Sequence, residues 1–465
     1  MTPNLKPYPA YKFSGSEWLG DIPVHWEVRR LRTVIDMRVS NVDKHVKEDE
    51  EPVRLCNYVD VYKNDYITEQ MNFMQATATD EEIERFRLEK DDVLITKDSE
   101  TWDDIGVPAL VTKPASDLIS GYHLALLRPR TNELAGGYLL RALQSKGLAY
   151  QFHIEAKGVT RYGLSHAGIK SVWLPLPPLP EQTAIVRYLD HADERISRYI
   201  SGKQKLIRLL EEEKQAVIHR AVTRGIDPNV RLKPSGIEWL GNVPAHWEVV
   251  RNGQLFAQRN ETGFPELPLL EVSLKTGVSI RDLENSARKQ MMTVRSDYKR
   301  AVKGDITYNM MRMWQGAVGI APVDGLVSPA YIIARPLHGT EPRYFSSLFR
   351  TSAYMAEVDK YSRGIVKDRN RLYWEDFKQM PSLRPPPYEQ TDIVAYLDKA
   401  TADIGTAISH TRRQIELLQE YRTRLIADIV TGKLDVRGAA ANLSDEMNAP
   451  ELPETVGEPH RRACV

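Results

Sequence analysis

One phrase occurs twice in this chain. Residues 14–28 read S-G-S-E-W-L-G-D-I-P-V-H-W-E-V, and residues 235–249 read S-G-I-E-W-L-G-N-V-P-A-H-W-E-V. A second phrase, Pro177-Pro178-Leu179-Pro180-Glu181-Gln182-Thr183, returns as Pro385-Pro386-Pro387-Tyr388-Glu389-Gln390-Thr391. The opening phrases are offset by 235 − 14 = 221 residues and the closing ones by 389 − 181 = 208, so the stretches between them differ in length by 13. From Glu181 to Asp227 the chain aligns without a gap onto Glu389 to Asp435, with 20 identities in 47 positions. The chain is therefore an internal duplication, and its fold must place two copies of one frame around two inserts whose letters have diverged.

The totals exclude several classes. With 42% hydrophobic and 27% charged residues among 465, the composition is that of an ordinary globular protein with enough chain for two to four domains. No run of 18 apolar residues occurs, and the N-terminus lacks a charged-then-apolar leader, so a cytoplasmic protein with no membrane partner is expected. Cys56 and Cys464 are too few for a cysteine zinc site. The 63 basic and 63 acidic residues balance overall but not locally. Residues 42–51 and 80–104 lean acidic; 29–32, 295–303 and 363–371 lean basic.

The aligned tails read as long helices. Apolar residues at Ile196, Ile200, Ile207, Leu210 and Val217 match Ile404, Ile408, Ile415, Leu418 and Leu425. Steps of 4, 7, 3 and 7 keep them on one face at 3.6 residues per turn. Pro180 and Thr183 stand where a helix would start, and Gly225 and Gly432 where each would stop. About 40 residues make roughly 60 Å of helix. A narrow stripe of that length calls for a partner, and the duplicate supplies one in a two-stranded coiled coil.

The inserts, roughly 29–173 and 250–380, read as mixed α/β with the same order of elements. Strands are expected at 92–96, 109–112 and 124–127, then at 305–308, 317–320 and 331–334; helices are expected at 137–150 and 343–359. The fold class is α+β: two similar mixed α/β domains joined by two long antiparallel helices, with a pseudo-twofold internal repeat. The expected division is 1–173 for the first frame and reading domain, 174–226 for the central helix, 227–380 for the second frame and domain, 381–437 for the second helix, and 438–465 for a disordered tail.

Catalytic signatures are missing. There is no G-x-x-x-x-G-K-[ST] loop and no G-x-G-x-x-G after a strand. His25 and His246 have no ligand-spaced neighbours and read as structural. Glu155-Ala156-Lys157 has the acid-x-Lys spacing of some nucleases but no paired acid on a preceding strand. Pro385-Pro386-Pro387-Tyr388 imitates an amino-methyltransferase signature, yet Pro385 offers no side-chain acceptor for an amino group. No catalytic residue and no metal site are expected.

The order E-W-L-G-x-x-P-x-H-W-E-V, a variable insert, then P-P-x-x-E-Q-x-x-I-x-x-Y-L-D opening a long helix, all present twice, resembles the specificity subunits of type I restriction–modification systems. The likeness covers about 14–435. It implies that each insert is a target-recognition domain reading one half of an asymmetric, bipartite double-stranded DNA sequence, with the helices fixing the spacer. It further implies two methyltransferase subunits carrying S-adenosylmethionine, and restriction subunits using ATP and Mg, with no cofactor in this chain itself. One DNA turn is about 34–36 Å, so helices of that length can hold two readers one to two turns apart.

Lys and Arg on phosphates should supply affinity, and side chains at base edges sequence reading. The candidates are Lys157, Arg161 and Tyr162, with Lys97 after a strand end, in the first insert. In the second they are Arg363, Lys367, Arg369 and Arg371, with Arg312. Lys205, Arg208 and Arg412 are expected to face a partner or solvent, and Trp18, Trp26, Trp239 and Trp247 to fix the repeat. The competing reading is a coiled-coil scaffold joining two protein-binding domains that never meet DNA.

Overall fold

In the computed structural model the described residues are 5–16, 19–281, 295–364 and 370–443. They form two compact units, Met1–Gly202 with Gln414–Val465, and Lys203–Arg413. Each long helix, Leu179–Arg224 and Pro387–Val430, begins in one unit and ends in the other.

The first unit is built on a five-stranded sheet in the order Ile35–Val39, Leu124–Pro129, Val93–Thr96, Pro108–Lys113, Tyr66–Thr68, antiparallel except for the last pair. Its strands are near-continuous apolar runs because both faces are covered. Val93, Ile95, Ala125 and Leu127 join the core that includes helix Gly136–Leu143, while Leu94, Leu124, Leu126 and Val111 join a separate core on the other face. A second sheet, Leu118–Ser120, Glu51–Cys56 and Met74–Ala78, carries a third small core around Phe86.

The second unit repeats the plan with fewer strands. Phe256–Arg259, Tyr331–Pro336, Ile306–Asn309 and Val318–Ile320 make a four-stranded antiparallel sheet in that order. Its flanking strands are the pairs Leu270–Ser273 with Gly277–Ile280, and Lys299–Ala301 with Gly325–Val327. A parallel bridge between Leu269 and Leu326 stands where the first unit has the parallel pairing of Glu51–Cys56 with Leu118–Ser120. All six strands expected from the sequence lie on these two sheets. The helices expected over 137–150 and 343–359 are each two: Gly136–Leu143 with Lys146–Glu155, and Pro342–Phe349 with Ser352–Tyr361. Ser145 and Thr351 take extended backbone and open the second helix of each pair, Thr351 by accepting from Tyr354 N–H. The apolar pattern runs through the break because both helices bury their apolar faces in one core.

Within each unit the two long helices meet antiparallel. In the first, Arg187 reaches the Leu443 carbonyl and Asp193, further along, meets Arg422, so one numbering rises as the other falls. In the second, Glu211 pairs with Arg412 at 2.8 Å, and Gly225 lies against Glu389. Of the ten stripe residues, Ile196, Ile408 and Leu425 are buried; Ile200, Ile207, Leu210, Val217, Ile404, Ile415 and Leu418 are half-buried. Leu206, Leu209 and Leu417, off the stripe, are exposed. Lys205 and Arg208 are exposed too.

Residues 438–443, expected to belong to a disordered tail, are folded. Arg437–Ala441 is a short helix, and Val436, Ala440 and Leu443 pack on the first unit's core at helical spacing; residues 444–465 lie outside the described residues. Among the described residues no helix is long and apolar enough to cross a membrane.

Gly432 and Gly225, which stop the helices, both have φ of +76°. A Cβ on Gly432 would lie 2.2 Å from Pro23 Cδ, whereas one on Gly225 would come no nearer than Glu389 Oε1 at 3.2 Å and Trp247 at 3.4 Å. Both substitutions strain the backbone, and only the first also forces a proline ring aside. Gly225→Ala should cost about 1 kcal/mol and Gly432→Ala about 2 kcal/mol or more, read as a larger fall in thermal midpoint for the latter.

Candidate nucleic-acid interface

Two clamps join the repeated phrases. In each repeat the strand after the His-Trp dipeptide pairs antiparallel with the strand before the long helix: Glu27–Arg30 with Trp173–Leu176, and Glu248–Arg251 with Pro381–Arg384, four residue pairs in the same register. That ladder brings the first acidic residue of the long helix under the dipeptide. Glu181, with 5% side-chain exposure, accepts from Trp26 Nε1 at 3.0 Å, His25 Nε2 at 2.8 Å and the Tyr8 hydroxyl at 2.5 Å. Glu389 accepts from Trp247 Nε1 at 3.0 Å and His246 Nε2 at 2.7 Å. Burial, and then the carboxylate it donates to, hold the Tyr8 phenol far above its ordinary range, so it remains a donor. Both tryptophans are fully buried, and each indole N–H has its acceptor in that carboxylate. Each histidine is thereby tied to the same carboxylate as the tryptophan that follows it. Trp239 is half-buried against Tyr354, and Trp18 lies outside the described residues.

The glutamine of each E-Q pair ties the insert to the same spot. Gln182 donates to the carbonyls of Glu133 and Pro177 and accepts from Ala135 N–H, all at 2.8–2.9 Å. Gln390 donates to Gly339 and Pro385 and accepts from Glu341 N–H. Each glutamine thereby fixes the loop that leads into the first insert helix, Gly136–Leu143 or Pro342–Phe349. Two adjacent side chains lock the frame and the insert onto one helix end.

The residues expected to touch DNA in the first unit come together. Lys157–Gly158, Tyr162–Gly163 and Asp98–Ser99 form a small three-stranded sheet at the end of strand Val93–Thr96. Lys157 and Arg161 are exposed, Tyr162 and Lys97 half-buried. A Cβ on Gly158 would fall 1.9 Å from the Arg161 carbonyl, which is why the hairpin carrying Arg161 can turn so tightly. Leu164 N–H binds the Lys97 carbonyl at 2.8 Å and docks the hairpin on the strand end.

The second unit uses the same joint: Leu372 N–H binds the Met310 carbonyl at 2.9 Å, just past strand Ile306–Asn309. Arg363 and Arg371 exchange backbone hydrogen bonds at 3.0 Å and close the base of the loop between them. The Arg363 guanidinium is held by Asp376, which makes it a brace of that loop base. Arg371 and Arg312 are exposed. Lys367 and Arg369 lie outside the described residues.

Sequence reasoning did not reach Asp98, Tyr122 and His123, which stand beside Arg161. His123 Nδ1 is 2.7 Å from Asp98 Oδ2, the Tyr122 and His123 rings are 3.7 Å apart, and Arg161 Nη2 is 3.2 Å from His123 Nδ1. No spacing rule links 98, 123 and 161; strand Asp98–Ser99 and the turns that lead into Leu124–Pro129 and Tyr162–Gly163 bring them together.

Removing the Glu181 carboxylate would leave a buried indole N–H and phenol without acceptors. Glu181→Ala should cost about 2–3 kcal/mol in urea unfolding, and His25→Ala, at a partly exposed ring, about 1 kcal/mol or less.

The model of the type I restriction modification DNA specificity domain matches residues 23–208, from the first hairpin to the middle of the first long helix. A putative type I restriction enzyme specificity subunit of Methanocaldococcus jannaschii is 23% identical over 93% of this chain and 99% of its own length. The EcoKI specificity subunit of Escherichia coli is 21% identical over 94% of this chain and 96% of its own. In fold, the chain resembles one in a solved type I restriction–modification assembly, with a TM-score of 0.64 and 16% identity over 89% of this chain and 99% of that one. The duplicated frame, its two clamps and these likenesses along nearly the whole length make the chain similar to the specificity subunits of type I restriction–modification systems.

Proposed function

We propose that the chain is the DNA-reading, non-catalytic subunit of a type I restriction–modification complex acting in the cytoplasm, each unit recognising one half of an asymmetric bipartite duplex. The observation that carries this reading is the contrast between frame and insert. Glu181 with His25 and Trp26, and Glu389 with His246 and Trp247, repeat residue for residue. The surfaces they support do not: Lys97, Asp98 and Arg161 project at one strand end, Met311, Arg312 and Arg371 at the other. Matching mounts carrying unlike tips suit two readers of two different half-sites.

The long helices, 46 and 44 residues, span roughly 65–70 Å each at 1.5 Å per residue. Their stripe, from Ile196 to Val217 and from Ile404 to Leu425, pairs them and makes them the ruler for the unread spacer. Two methyltransferase subunits carrying S-adenosylmethionine dock on this chain, and restriction subunits using ATP and Mg join them. Lys97, Lys157, Arg161, Tyr162, Arg312, Lys367, Arg369 and Arg371 contact DNA in this reading, while Arg363 supports the second loop.

Replacing residues 29–173 by the equivalent stretch of a relative should change one half-site in the methylated motif and leave the other intact; a change in both would argue against separate readers. Inserting one heptad near Lys203 should lengthen the spacer and preserve both half-sites. In a retention assay with the methyltransferase partner, affinity for target duplex should fall steeply between about 50 and 200 mM salt, because phosphate contacts release counterions. Binding insensitive to salt would favour a protein scaffold instead.

A further inference from the structure

Arg161 differs from three arginines that brace the first unit's reading domain. Arg54 is bound by Asp117, Arg128 by Asp92 and Arg141 by Asp190, so each of those charges is met by a carboxylate. Among the described residues Arg161 has no carboxylate partner. Its guanidinium lies instead on the His123 imidazole, with Nη2 at 3.2 Å from Nδ1 and 3.4 Å from Nε2. Near-equal approach to both ring nitrogens is contact with the ring face, because an in-plane position at those distances would overlap Cε1–H. The guanidinium is thus oriented and not neutralised.

The imidazole is itself fixed. Asp98 Oδ2 is 2.7 Å from His123 Nδ1, and a carboxylate only accepts, so Nδ1 carries the proton and donates. In the neutral ring Nε2 is then a lone-pair acceptor. Tyr122 packs on the ring at 3.7 Å, and the backbone of Lys97 donates to the His123 carbonyl at 3.1 Å, which stitches the two strand ends together. Asp98 is also held from below, since Asp98 and Ser99 pair with Gly163 and Tyr162. The side chains of Asp98 and His123 are 20% and 22% exposed, so their contacts are defined while their outer edges stay open.

One edge therefore offers several donors from Arg161 beside one acceptor from His123. The major-groove edge of a G·C pair offers the complement, with O6 and N7 acceptors on guanine and the N4 donor on cytosine. An A·T pair puts the adenine amino donor where guanine has its O6 acceptor, and in the reversed orientation a thymine methyl takes the place of N7. Asp98 beside the cluster also disfavours a role as a plain phosphate anchor, because a carboxylate repels the backbone anion.

We propose that Arg161 and His123 together read one G·C pair in the half-site of the first unit, with Asp98 as the positioning residue that fixes the histidine tautomer. This rests on the DNA-reading function proposed above and names the residues that set one letter of the target.

The test is methylation mapping of genomic DNA from cells that express the full chain with its methyltransferase partner. The wild-type chain should yield a bipartite motif with a G·C pair in the half-site that follows residues 29–173. His123→Ala and Arg161→Ala should each make that one position degenerate, with discrimination falling roughly 10-fold or more, and leave the other half-site and the spacer unchanged. Asp98→Asn should relax the same position to a lesser degree. An unchanged motif in His123→Ala and Arg161→Ala overturns the proposal, as does relaxation spread over both half-sites. If His123→Ala abolishes methylation, His123→Gln decides. A new letter at that position supports the proposal; the parental motif restored, or methylation still absent, overturns it. A wild-type chain that yields no bipartite motif fails the DNA-reading function itself, a result distinct from all of these.

Discussion

A carboxylate at the start of each long helix, buried in Glu181 and half-buried in Glu389, organises this protein. Glu181 and Glu389 each sit where a fully buried indole N–H has to find an acceptor, and a strand ladder in fixed register delivers both partners to the same place. The energy at stake is that of desolvated donors, which are costly when unmet and only modestly favourable when met. Such a contact therefore acts as a specification of geometry more than as a store of stability. The neighbouring glutamines extend it to the inserts, so the orientation of each reading surface follows from one helical turn.

The two units are mounted differently above that shared base. In the first, Arg141 is almost fully buried and binds Asp190, Asp193 and Gln144, while Arg422 from the other long helix binds Asp193 and Asp65. Insert, first helix and second helix are thus joined through one low-exposure ionic network, where loss of a partner strands a charge. In the second unit, Arg343 meets Asp398 in an exposed pair, which contributes little. Glu181 also has Tyr8 as a third donor, whereas the equivalent position in the second repeat is Asn229. Duplication kept the plan and let the reinforcement diverge.

Much of the frame was legible in the sequence because repetition and periodicity are local properties. The stripe from Ile196 to Val217, the stops at Gly225 and Gly432 and the six sheet strands all follow from spacing that helices and strands impose on their own residues. The breaks at Ser145 and Thr351 were not legible, because both helices of each pair bury apolar faces in one core and the pattern runs on. The short helix Arg437–Ala441 was hidden by an acidic, proline-bearing sequence beyond it.

The sequence by itself determined that the chain is a duplication, that each copy ends in a long amphipathic helix, and that the inserts are separate from the frame. Those conclusions rest on order and period, which a linear chain displays directly. Only the tertiary structure decided what the repeated His-Trp and Glu-Gln pairs do, since Trp26 and Glu181 are 155 residues apart and meet through a strand ladder. It also decided that Asp98, His123 and Arg161 share one surface while Arg363 is taken up by Asp376. Charge type is written in the letters; which charges are paired and which are left to a ligand depends on side chains that only folding brings together.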